Sequence, residues 1–277
     1  MRQFDGGPAT LKVGGATLEL SVRGTGQPLV FLHPGNGLLG ADALLDRLST
    51  RHMVVAPLLP GFGTSELPKH ITNVDDLAYV TLDLLDALDL TNVVVVGSDF
   101  GGWIAAEVAV RSTARIARLV LMGAVGIKNG GREDRDIADV FGLSTAELDR
   151  RTYYDADRFG PKPAELREDD LRSFARNREA LAFFGWRPYM YNPKLRNWLH
   201  RINVPTLCLW GAADRITAPE YGQSYAARIP NSTFEVIDAA GHFPHVEQPD
   251  ATAGRILAFA SDASRQMDPG NLKAEAA

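Results

Sequence analysis

Short apolar runs alternate with amphipathic helical patterns through most of the chain. Residues 74–88 carry apolar side chains three and four positions apart, a spacing that places them on one face of a helix. The same spacing predicts helices over 102–110, 219–228 and 251–260. Runs rich in β-branched and apolar residues predict strands at 17–22, 28–33, 52–56, 92–97, 117–122, 205–210 and 233–237. This alternation predicts an α/β fold, in which helices cover both faces of a mostly parallel sheet.

The alternation stops between residues 127 and 202. This stretch has no strand-like run, is rich in charged and aromatic residues, and predicts helices at 144–151, 167–184 and 193–201. Because the α/β pattern resumes afterwards, we expect 127–202 to form a helical cap over the carboxyl ends of the strands, where ligands bind in open sheets. The core would comprise 1–126 and 203–267, and the tail 268–277, which has little to bury, is expected to be disordered.

Composition narrows the classes of protein. With 277 residues, of which 45% are hydrophobic, the chain can bury a large core. Its formal net charge of -5 provides no basic surface for nucleic acid, and no apolar run is long enough to span a membrane. The chain begins without a basic and apolar leader, so a cytoplasmic location is expected. The single Cys208 lies in an apolar run and is expected to be buried, and the oligomeric state is left open.

The sequence Gly97-Ser98-Asp99-Phe100-Gly101 follows a run of four valines and precedes a predicted helix. This is the pattern of a strand-turn-helix nucleophile elbow, with Asp99 at the apex. The flanking glycines are expected because side chains at those positions would collide with the neighbouring strand and helix. Ser98 precedes the apex, so its hydroxyl is expected to point away from the pocket. A role for Asp99 as a helix N-cap would not by itself require both glycines.

From Phe31-Leu32-His33-Pro34-Gly35 through the elbow to Ala240-Gly241-His242, the chain resembles the α/β-hydrolase superfamily over nearly its whole length. The order of nucleophile, acid and histidine is also the one expected of that fold. Asp214, in a turn after a predicted strand, would hold the His242 imidazole in one tautomer, and His242 would act as general base. His245 lies beyond the Ala-Gly-His position and is expected to be a neighbour of the site.

The loop after the second predicted strand is the candidate anion site. The backbone N–H of Gly35 or Asn36 would act there together with that of Phe100, since paired amides stabilise developing negative charge. His33 is expected to brace this loop, and it is also a candidate residue of the substrate pocket. No third ligand accompanies His242 and His245 at a spacing typical of metal sites, so neither a metal nor another cofactor is expected.

An aspartate nucleophile determines which reactions are available. With an ordinary pKa near ~3.9, it is ionised at neutral pH and can attack a saturated carbon directly, forming an ester that His242 and water would hydrolyse. In this respect the chain resembles epoxide hydrolases and haloalkane dehalogenases. Dehalogenation is disfavoured because Phe100 stands where those enzymes often carry a tryptophan donor, although Asn36 could supply one donor to a halide.

Epoxide opening requires a donor to the developing alkoxide, commonly a pair of cap tyrosines in that family. The expected cap contains Tyr153, Tyr154, Tyr189 and Tyr191, and Trp186 could also line the pocket. The His-Gly-x-Pro signature of epoxide hydrolases is absent, since Pro34 follows His33. The aspartate at the apex and the cap tyrosines nevertheless favour an epoxide-hydrolase-like enzyme that acts on a small, largely apolar molecule.

Two alternatives stay open. Three segments resemble serine esterases and meta-cleavage carbon–carbon hydrolases more than they resemble epoxide hydrolases. They are the residues that follow the elbow, residues 191–195 and residues 210–214. In such an esterase, lactonase, carbon–carbon hydrolase or lyase, Asp99 would replace serine and act as a general acid or base. The other alternative is a non-catalytic ligand-binding protein on the same scaffold, against which the retention of Asp214 and His242 argues.

Overall fold

The computed structural model describes residues 8–131, 133–165 and 167–262. The predicted tail 268–277 and the end of the predicted core, 263–267, lie outside these residues. The strands are β1 Pro8–Val13, β2 Ala16–Arg23, β3 Gln27–Leu32, β4 His52–Pro57, β5 Val93–Ser98, β6 Ile116–Met122, β7 Thr206–Gly211 and β8 Ser232–Ile237. They form one eight-stranded sheet in the order β1-β2-β4-β3-β5-β6-β7-β8. The pairs β1–β2 and β2–β4 are antiparallel and all other neighbours are parallel, which confirms the predicted α/β class.

Each predicted strand corresponds to an observed one, but the sequence reasoning missed β1. This strand forms a hairpin with β2 through Gly14 and Gly15, which both have positive φ, at 57° and 79°. A Gly-Gly pair between two short runs is a recognised hairpin signal, and it could have revealed the strand.

The helices are α1 Asp42–Ser49, α2 Val74–Ala87, α3 Phe100–Arg111, α4 Thr145–Thr152, α5 Ala156–Phe159, α6 Glu168–Gly185, α7 Leu195–Trp198, α8 Pro219–Ala226, α9 Pro244–Glu247 and α10 Pro249–Ser261. The helices α1, α5 and α9 were not predicted, and each is at most eight residues long. A helix of this length has at most about two turns, so its periodic pattern is weak, although α4 and α8 have eight residues each and were predicted.

Two apolar clusters cover the two faces of the sheet. One packs α2, α3 and α8 against one face, and the other packs α1 and α10 against the opposite face. In β5, Val93 and Val95 point into the first cluster while Val94 and Val96 point into the second. A strand buried on both faces needs apolar residues at every position, and this explains the valine run before the elbow.

The segment between β6 and β7, residues 127–202, contains α4 to α7, and its described residues form no strand of the sheet. We call it the cap segment. It joins the core through one isolated bridge between Gly126 and Tyr191 and through hydrogen bonds to the loops that follow the parallel strands. Since the carboxyl ends of parallel strands meet at one edge of the sheet, these loops converge beside the cap segment.

Candidate active site

Asp99 lies at the sharp turn between β5 and α3, with φ at 49°. This is an uncommon backbone conformation for a residue with a side chain, and it occurs where the surrounding structure imposes it. A Cβ at Gly97 would overlap the Gly101 carbonyl, and a Cβ at Gly101 would overlap the Leu32 carbonyl. The Asp99 side chain caps no amide of α3. The two glycines therefore belong to the elbow, and the N-cap interpretation of Asp99 does not hold.

The loops after β5, β7 and β8 bring Asp99, Asp214 and His242 together. His242 Nδ1 lies 2.8 Å from Asp214 Oδ2, and its Nε2 lies 3.2 Å from Asp99 Oδ1. The second contact is an ion pair without the alignment of a hydrogen bond. Asp214 also accepts the backbone N–H of Ile216 at 2.9 Å and of Thr217 at 3.0 Å, and the hydroxyl of Thr217 at 3.1 Å. These bonds orient the acid toward the imidazole.

His242 is buried between two carboxylates, and this arrangement controls its charge. Burial alone would lower its pKa, but the charge and hydrogen bond of Asp214, together with the nearby charge of Asp99, outweigh burial and raise the pKa to about 10. The two carboxylates therefore favour the imidazolium form of His242 at neutral pH. An imidazolium can donate a proton but cannot accept one, so a role as general base requires that this proton leave first.

The backbone N–H of Gly35 donates to Asp99 Oδ2 at 2.9 Å. Of the two candidate donors Gly35 and Asn36, Gly35 is thus the one whose N–H is bonded to Asp99. Phe100 is the first residue of α3, and the amides of a first helical turn have no partner within the helix. The carboxylate thus places one oxygen at the anion site and the other beside His242. Asn36 contributes to the wall of the neighbouring cavity.

His33 supports the loop that carries Gly35. Its Nδ1 lies 2.7 Å from the Pro34 carbonyl, and its Nε2 accepts the Leu59 N–H at 3.0 Å, so the bonds assign the proton to Nδ1. Burial lowers the pKa of His33 to about 4, and the ring is neutral. The structure agrees with the bracing role expected for this residue. It does not place His33 on the cavity wall, so His33 is not a pocket residue.

A cavity of about 260 Å³ lies against Asp99 and His242. Most of its wall is apolar, with polar groups at a few positions. The apolar residues include Leu148, Leu181, Met190, Ile216 and Phe243, and the polar ones include Asn36, Asp149, Tyr153 and Arg178. Burial raises the pKa of the Tyr153 phenol, which stays protonated and can donate a hydrogen bond. A cavity of this size and lining suits a small, largely apolar ligand.

The other aromatic residues predicted for the pocket lie elsewhere. Trp186, Tyr189 and Tyr191 line a separate cavity of about 440 Å³ beside the charged loop near Lys128, and Tyr154 is exposed. The Tyr189 hydroxyl donates to the Ala138 carbonyl and accepts the Val140 N–H, so its role is structural. Sequence reasoning could not separate these residues from Tyr153, because the path of the cap segment determines which rings face Asp99.

His245 is fully buried beside the site, with its ring edge-on to Phe31 and Phe243. Burial lowers its pKa to about 3, so the ring is neutral. No contact between His245 and Asp99 resembles the one that His242 makes. The structure thus agrees with the expectation that His245 is a neighbour of the candidate base.

Sequence reasoning missed the residues that hold the histidine loop. The carboxylate of Glu247 accepts three backbone N–H groups: Gly241 at 2.6 Å, Tyr154 at 3.1 Å and Asp155 at 3.0 Å. It ties the loop of His242 to the cap segment. The only signal in the sequence was an acidic residue among apolar ones at 243–249, which is difficult to distinguish from a surface position.

The end of α4 makes two further bonds to the catalytic loops. The Thr152 carbonyl accepts the His242 N–H at 2.6 Å, and the Arg151 carbonyl accepts the Arg215 N–H at 3.2 Å. The carbonyls of a last helical turn lack partners within the helix, so these bonds satisfy them. The cap segment therefore contacts the backbone of both the histidine loop and the acid loop.

Within residues 8–131, 133–165 and 167–262, no group of three or more His, Cys, Asp or Glu side chains is arranged to hold a metal ion. The helices in the same part of the chain include none that is long and apolar enough to cross a membrane.

Comparison with known proteins agrees with this geometry. The model of the alpha/beta hydrolase family matches residues 29–255, which include all of the candidate catalytic residues. The chain belongs to the alpha/beta hydrolase family. It is a hydrolase, and the family alone leaves the class of reaction open.

Among its relatives is 2-hydroxy-6-oxo-2,4-heptadienoate hydrolase of Pseudomonas putida, 29% identical over 85% of this chain and 89% of that protein. Another is 2-hydroxymuconate semialdehyde hydrolase of a Pseudomonas species, 27% identical over 90% of this chain and 92% of that protein.

Solved structures of other hydrolases are also similar to this chain. A thermophilic esterase from Thermogutta terrifontis is 25% identical, with a TM-score of 0.75, over 91% of this chain and 97% of the esterase. A meta-cleavage product hydrolase from Pseudomonas fluorescens is 22% identical, with a TM-score of 0.73, over 91% of this chain and 96% of that chain, and at this identity the likeness shows the fold alone. The named relatives are thus carbon–carbon hydrolases and esterases.

Proposed function

We propose that the protein hydrolyses a small, largely apolar electrophile, such as an epoxide, through a covalent ester on Asp99. One observation carries this proposal: Asp99 Oδ2 accepts the Gly35 N–H, Oδ1 lies 3.2 Å from His242 Nε2, and both residues line the cavity. A carboxylate held in this way has one oxygen bound and the other available for attack.

In the first half-reaction, Asp99 Oδ1 attacks a saturated carbon and the carbon–oxygen bond of the epoxide breaks. The released electron pair forms an alkoxide, which requires a proton. The His242 imidazolium supplies that proton, and the Tyr153 phenol on the cavity wall donates a hydrogen bond to the developing charge. The products of this step are an Asp99 ester and a neutral His242.

The second half-reaction follows from the change of charge. Esterification removes the negative charge of Asp99, which is one of the two charges that raise the pKa of His242. His242, now neutral and oriented by Asp214, removes a proton from water, and the water attacks the ester carbon. The oxyanion forms on Oδ2, where the amides of Gly35 and Phe100 stabilise it.

When the intermediate collapses, the bond between the acyl carbon and the water oxygen stays, and the bond between that carbon and Oδ1 breaks, so Oδ1 leaves with the substrate. The proton of the new hydroxyl passes to the leaving oxygen. Release of the diol thus leaves a carboxylate on Asp99 and an imidazolium on His242.

The relatives favour a second candidate, in which the protein acts on a carbonyl and Asp99 is a general acid or base. The geometry argues against it at one point. The oxygen of a substrate carbonyl would need the Gly35 N–H, and Asp99 Oδ2 already accepts that group. Direct attack of the carboxylate on an ester would also form an anhydride, which is a less favourable intermediate.

A trapping experiment with His242→Gln tests the proposal. The variant is exposed to styrene oxide, 1-bromohexane and p-nitrophenyl acetate, and its intact and peptide masses are measured. Loss of the base should block hydrolysis of the ester, so an adduct should accumulate on the Asp99 peptide. Asp99→Asn is the matched control and should gain no mass. His242 also supplies the proton that an opening epoxide needs, so the decisive probe is 1-bromohexane, whose bromide leaves without a proton. If wild-type protein consumes 1-bromohexane and no adduct forms in the variant, the carboxylate is not the nucleophile.

A single turnover of the wild type in ¹⁸O water distinguishes the two candidates independently. Hydrolysis of an Asp99 ester places the isotope in the Asp99 carboxylate, while a water activated by Asp99 places it in the product. Label found only in the product overturns the proposal in favour of general base catalysis. Recovery of every probe unchanged from wild-type protein also counts against it and favours a binding protein.

A further inference from the structure

Asn177 lies in the middle of α6 and is 2% exposed, although it is polar and belongs to the cap segment. Its side-chain Nδ2 donates to the Asn36 carbonyl at 2.8 Å, and its Oδ1 accepts the Gly63 N–H at 2.8 Å. Both partners are backbone groups of core loops, one after β3 and the other after β4. A buried amide with both functions satisfied by backbone is a specific tie between the cap segment and the core.

The first of these partners belongs to the turn that carries the anion site. The Gly37 N–H donates to the Pro34 carbonyl at 2.9 Å, so Gly35 and Asn36 are the central residues of a β-turn. His33 bonds the same Pro34 carbonyl from within the core. Asn177 bonds the Asn36 carbonyl from the cap side. The turn is therefore held at both ends, and the Gly35 N–H points from between them to Asp99.

The packing around the turn leaves little freedom. Gly37 has a φ of 74°, and a Cβ at this position would overlap the Asn177 amide. The side chain of Asn177 therefore occupies the space directly against the turn. A displacement of α6 would remove the hydrogen bond and open this contact at the same time.

We propose that Asn177 is a positioning residue that aims the Gly35 N–H at Asp99, so that the core and the cap segment together form the anion site. The catalytic importance of this site rests on the proposed function, but the positioning itself is a property of the resting protein. The cap segment also bonds the acid and histidine loops through the end of α4. Each loop that carries a candidate catalytic group, apart from the elbow, is thus bonded to the cap segment.

Arg176 provides a matched control on the same helix. Its guanidinium donates to the Gly61 carbonyl at 3.2 Å and to the Ser65 carbonyl at 2.7 Å. It ties α6 to the loop after β4 without touching the turn 34–37. Loss of Arg176 weakens the attachment of the cap segment in general, and loss of Asn177 removes the tie to the anion site in particular.

The test follows the Gly35 amide by NMR in the ¹⁵N-labelled full chain without any substrate. Asn177→Asp keeps an acceptor for the Gly63 N–H but cannot donate to the Asn36 carbonyl. We expect the Gly35 amide proton, which is shifted downfield by the carboxylate, to move upfield by several tenths of a ppm in this variant and in Asn177→Ala. It should keep its position in Arg176→Ala. An unchanged Gly35 signal in both Asn177 variants, or an equal shift in the Arg176 variant, overturns the proposal.

A second measurement needs no variant and covers the case in which the substituted proteins fail to fold. Native-state hydrogen exchange in the wild type compares the Gly35 N–H with the side-chain amide protons of Asn177. If Asn177 holds the turn, a single opening motion exposes the Gly35 N–H and the Asn177 side-chain amide together. Their protection factors should then agree within a factor of about two. Exchange of the Asn177 amide at a rate far above that of Gly35 contradicts the coupling.

Separate measurement of ester formation and ester hydrolysis then distinguishes the positioning role of Asn177 from the proposed function. If an Asp99 ester forms, its hydrolysis needs the Gly35 donor for the oxyanion, so Asn177→Asp should slow hydrolysis roughly tenfold or more. The formation of the ester should change less. A change of the Gly35 signal without any adduct on Asp99 would support the positioning role and contradict the proposed reaction.

Discussion

The Gly35 N–H and the Asp99 carboxylate are joined by a hydrogen bond of 2.9 Å between residues 64 positions apart. The bond places an oxygen of the protein where an acyl-transfer enzyme would hold an oxygen of its substrate. The relatives of this chain include esterases and carbon–carbon hydrolases, and the elbow, the acid and the histidine lie in the order of that family. We therefore expect the residue at the apex to determine which reaction this scaffold supports.

This relationship predicts that Asp99→Ser creates an esterase. The shorter side chain frees the Gly35 N–H for a substrate carbonyl, and loss of the Asp99 charge lowers the pKa of His242, so that it can accept the serine proton. Hydrolysis of p-nitrophenyl acetate should rise by about tenfold or more over the wild type, because one oxyanion donor contributes at least that much. Asp99→Ala is the control, since it frees the same space without adding a nucleophile. A serine variant no faster than the alanine variant would contradict the prediction.

The charge of His242 predicts a specific dependence of stability on pH. Because the folded-state pKa of about 10 lies above the ordinary histidine value of 6.5, the folded protein binds the proton more tightly than the unfolded chain. The resulting stabilisation is complete below pH 6.5 and is lost as the pH rises through 10. Urea denaturation between pH 6 and pH 10 should show this loss in the wild type, and ¹⁵N NMR of the imidazole should show the titration itself.

Two variants check this assignment. In Asp99→Asn the imidazole loses one of its two negative neighbours, so its titration should move to lower pH. In His242→Gln the part of the pH dependence that belongs to this residue should vanish. A wild-type imidazole that titrates near its ordinary pKa would show that the two carboxylates do not hold the proton.

Glu247 should contribute to stability through the backbone groups that it binds. Removal of its carboxylate in Glu247→Ala leaves three N–H groups without their acceptor, including that of Gly241 next to His242. We expect a loss of roughly 2–4 kcal/mol in the free energy of unfolding, measured by urea denaturation. Glu247→Gln keeps one acceptor oxygen and should lose about half as much. Glu220→Ala, at an exposed position in α8, should change stability by less than about 0.5 kcal/mol.

Substitution of glycine by alanine should have opposite effects on stability at the elbow and on the exposed face of α10. A Cβ at Gly101 would overlap the Leu32 and His33 carbonyls, so Gly101→Ala should destabilise the fold by about 3 kcal/mol or more. Gly254 lies within α10 with no atom within 4 Å of its added Cβ. Gly254→Ala should therefore raise stability by about 0.5–1 kcal/mol through helix propensity. Thermal unfolding of the two variants against the wild type measures both effects, and a neutral Gly101→Ala would show that the elbow can relax.

Sequence reasoning predicted the interior strands well, because a strand that is buried on both faces leaves a continuous apolar run such as the one before Asp99. It missed β1, whose signal was a Gly-Gly turn and not an apolar run, and it missed helices too short to show a period. In the cap segment it found the larger helices and named Tyr153, but it could not separate Tyr153 from the aromatic residues that lie elsewhere. Tyr153 lines the catalytic cavity, whereas Trp186 and Tyr189 line another.

The sequence by itself determined the fold class and the candidates Asp99, Asp214 and His242, because apolar periodicity and turn glycines are local and the ends of parallel strands meet at one edge. Only the tertiary structure decided that Gly35, and not Asn36, binds Asp99. It also decided that His242 lies between two carboxylates, which raise its pKa, and that Asn177 bonds the Asn36 carbonyl from the cap segment. These features depend on contacts between loops far apart in the chain, and such contacts leave no periodic pattern in the residues that make them.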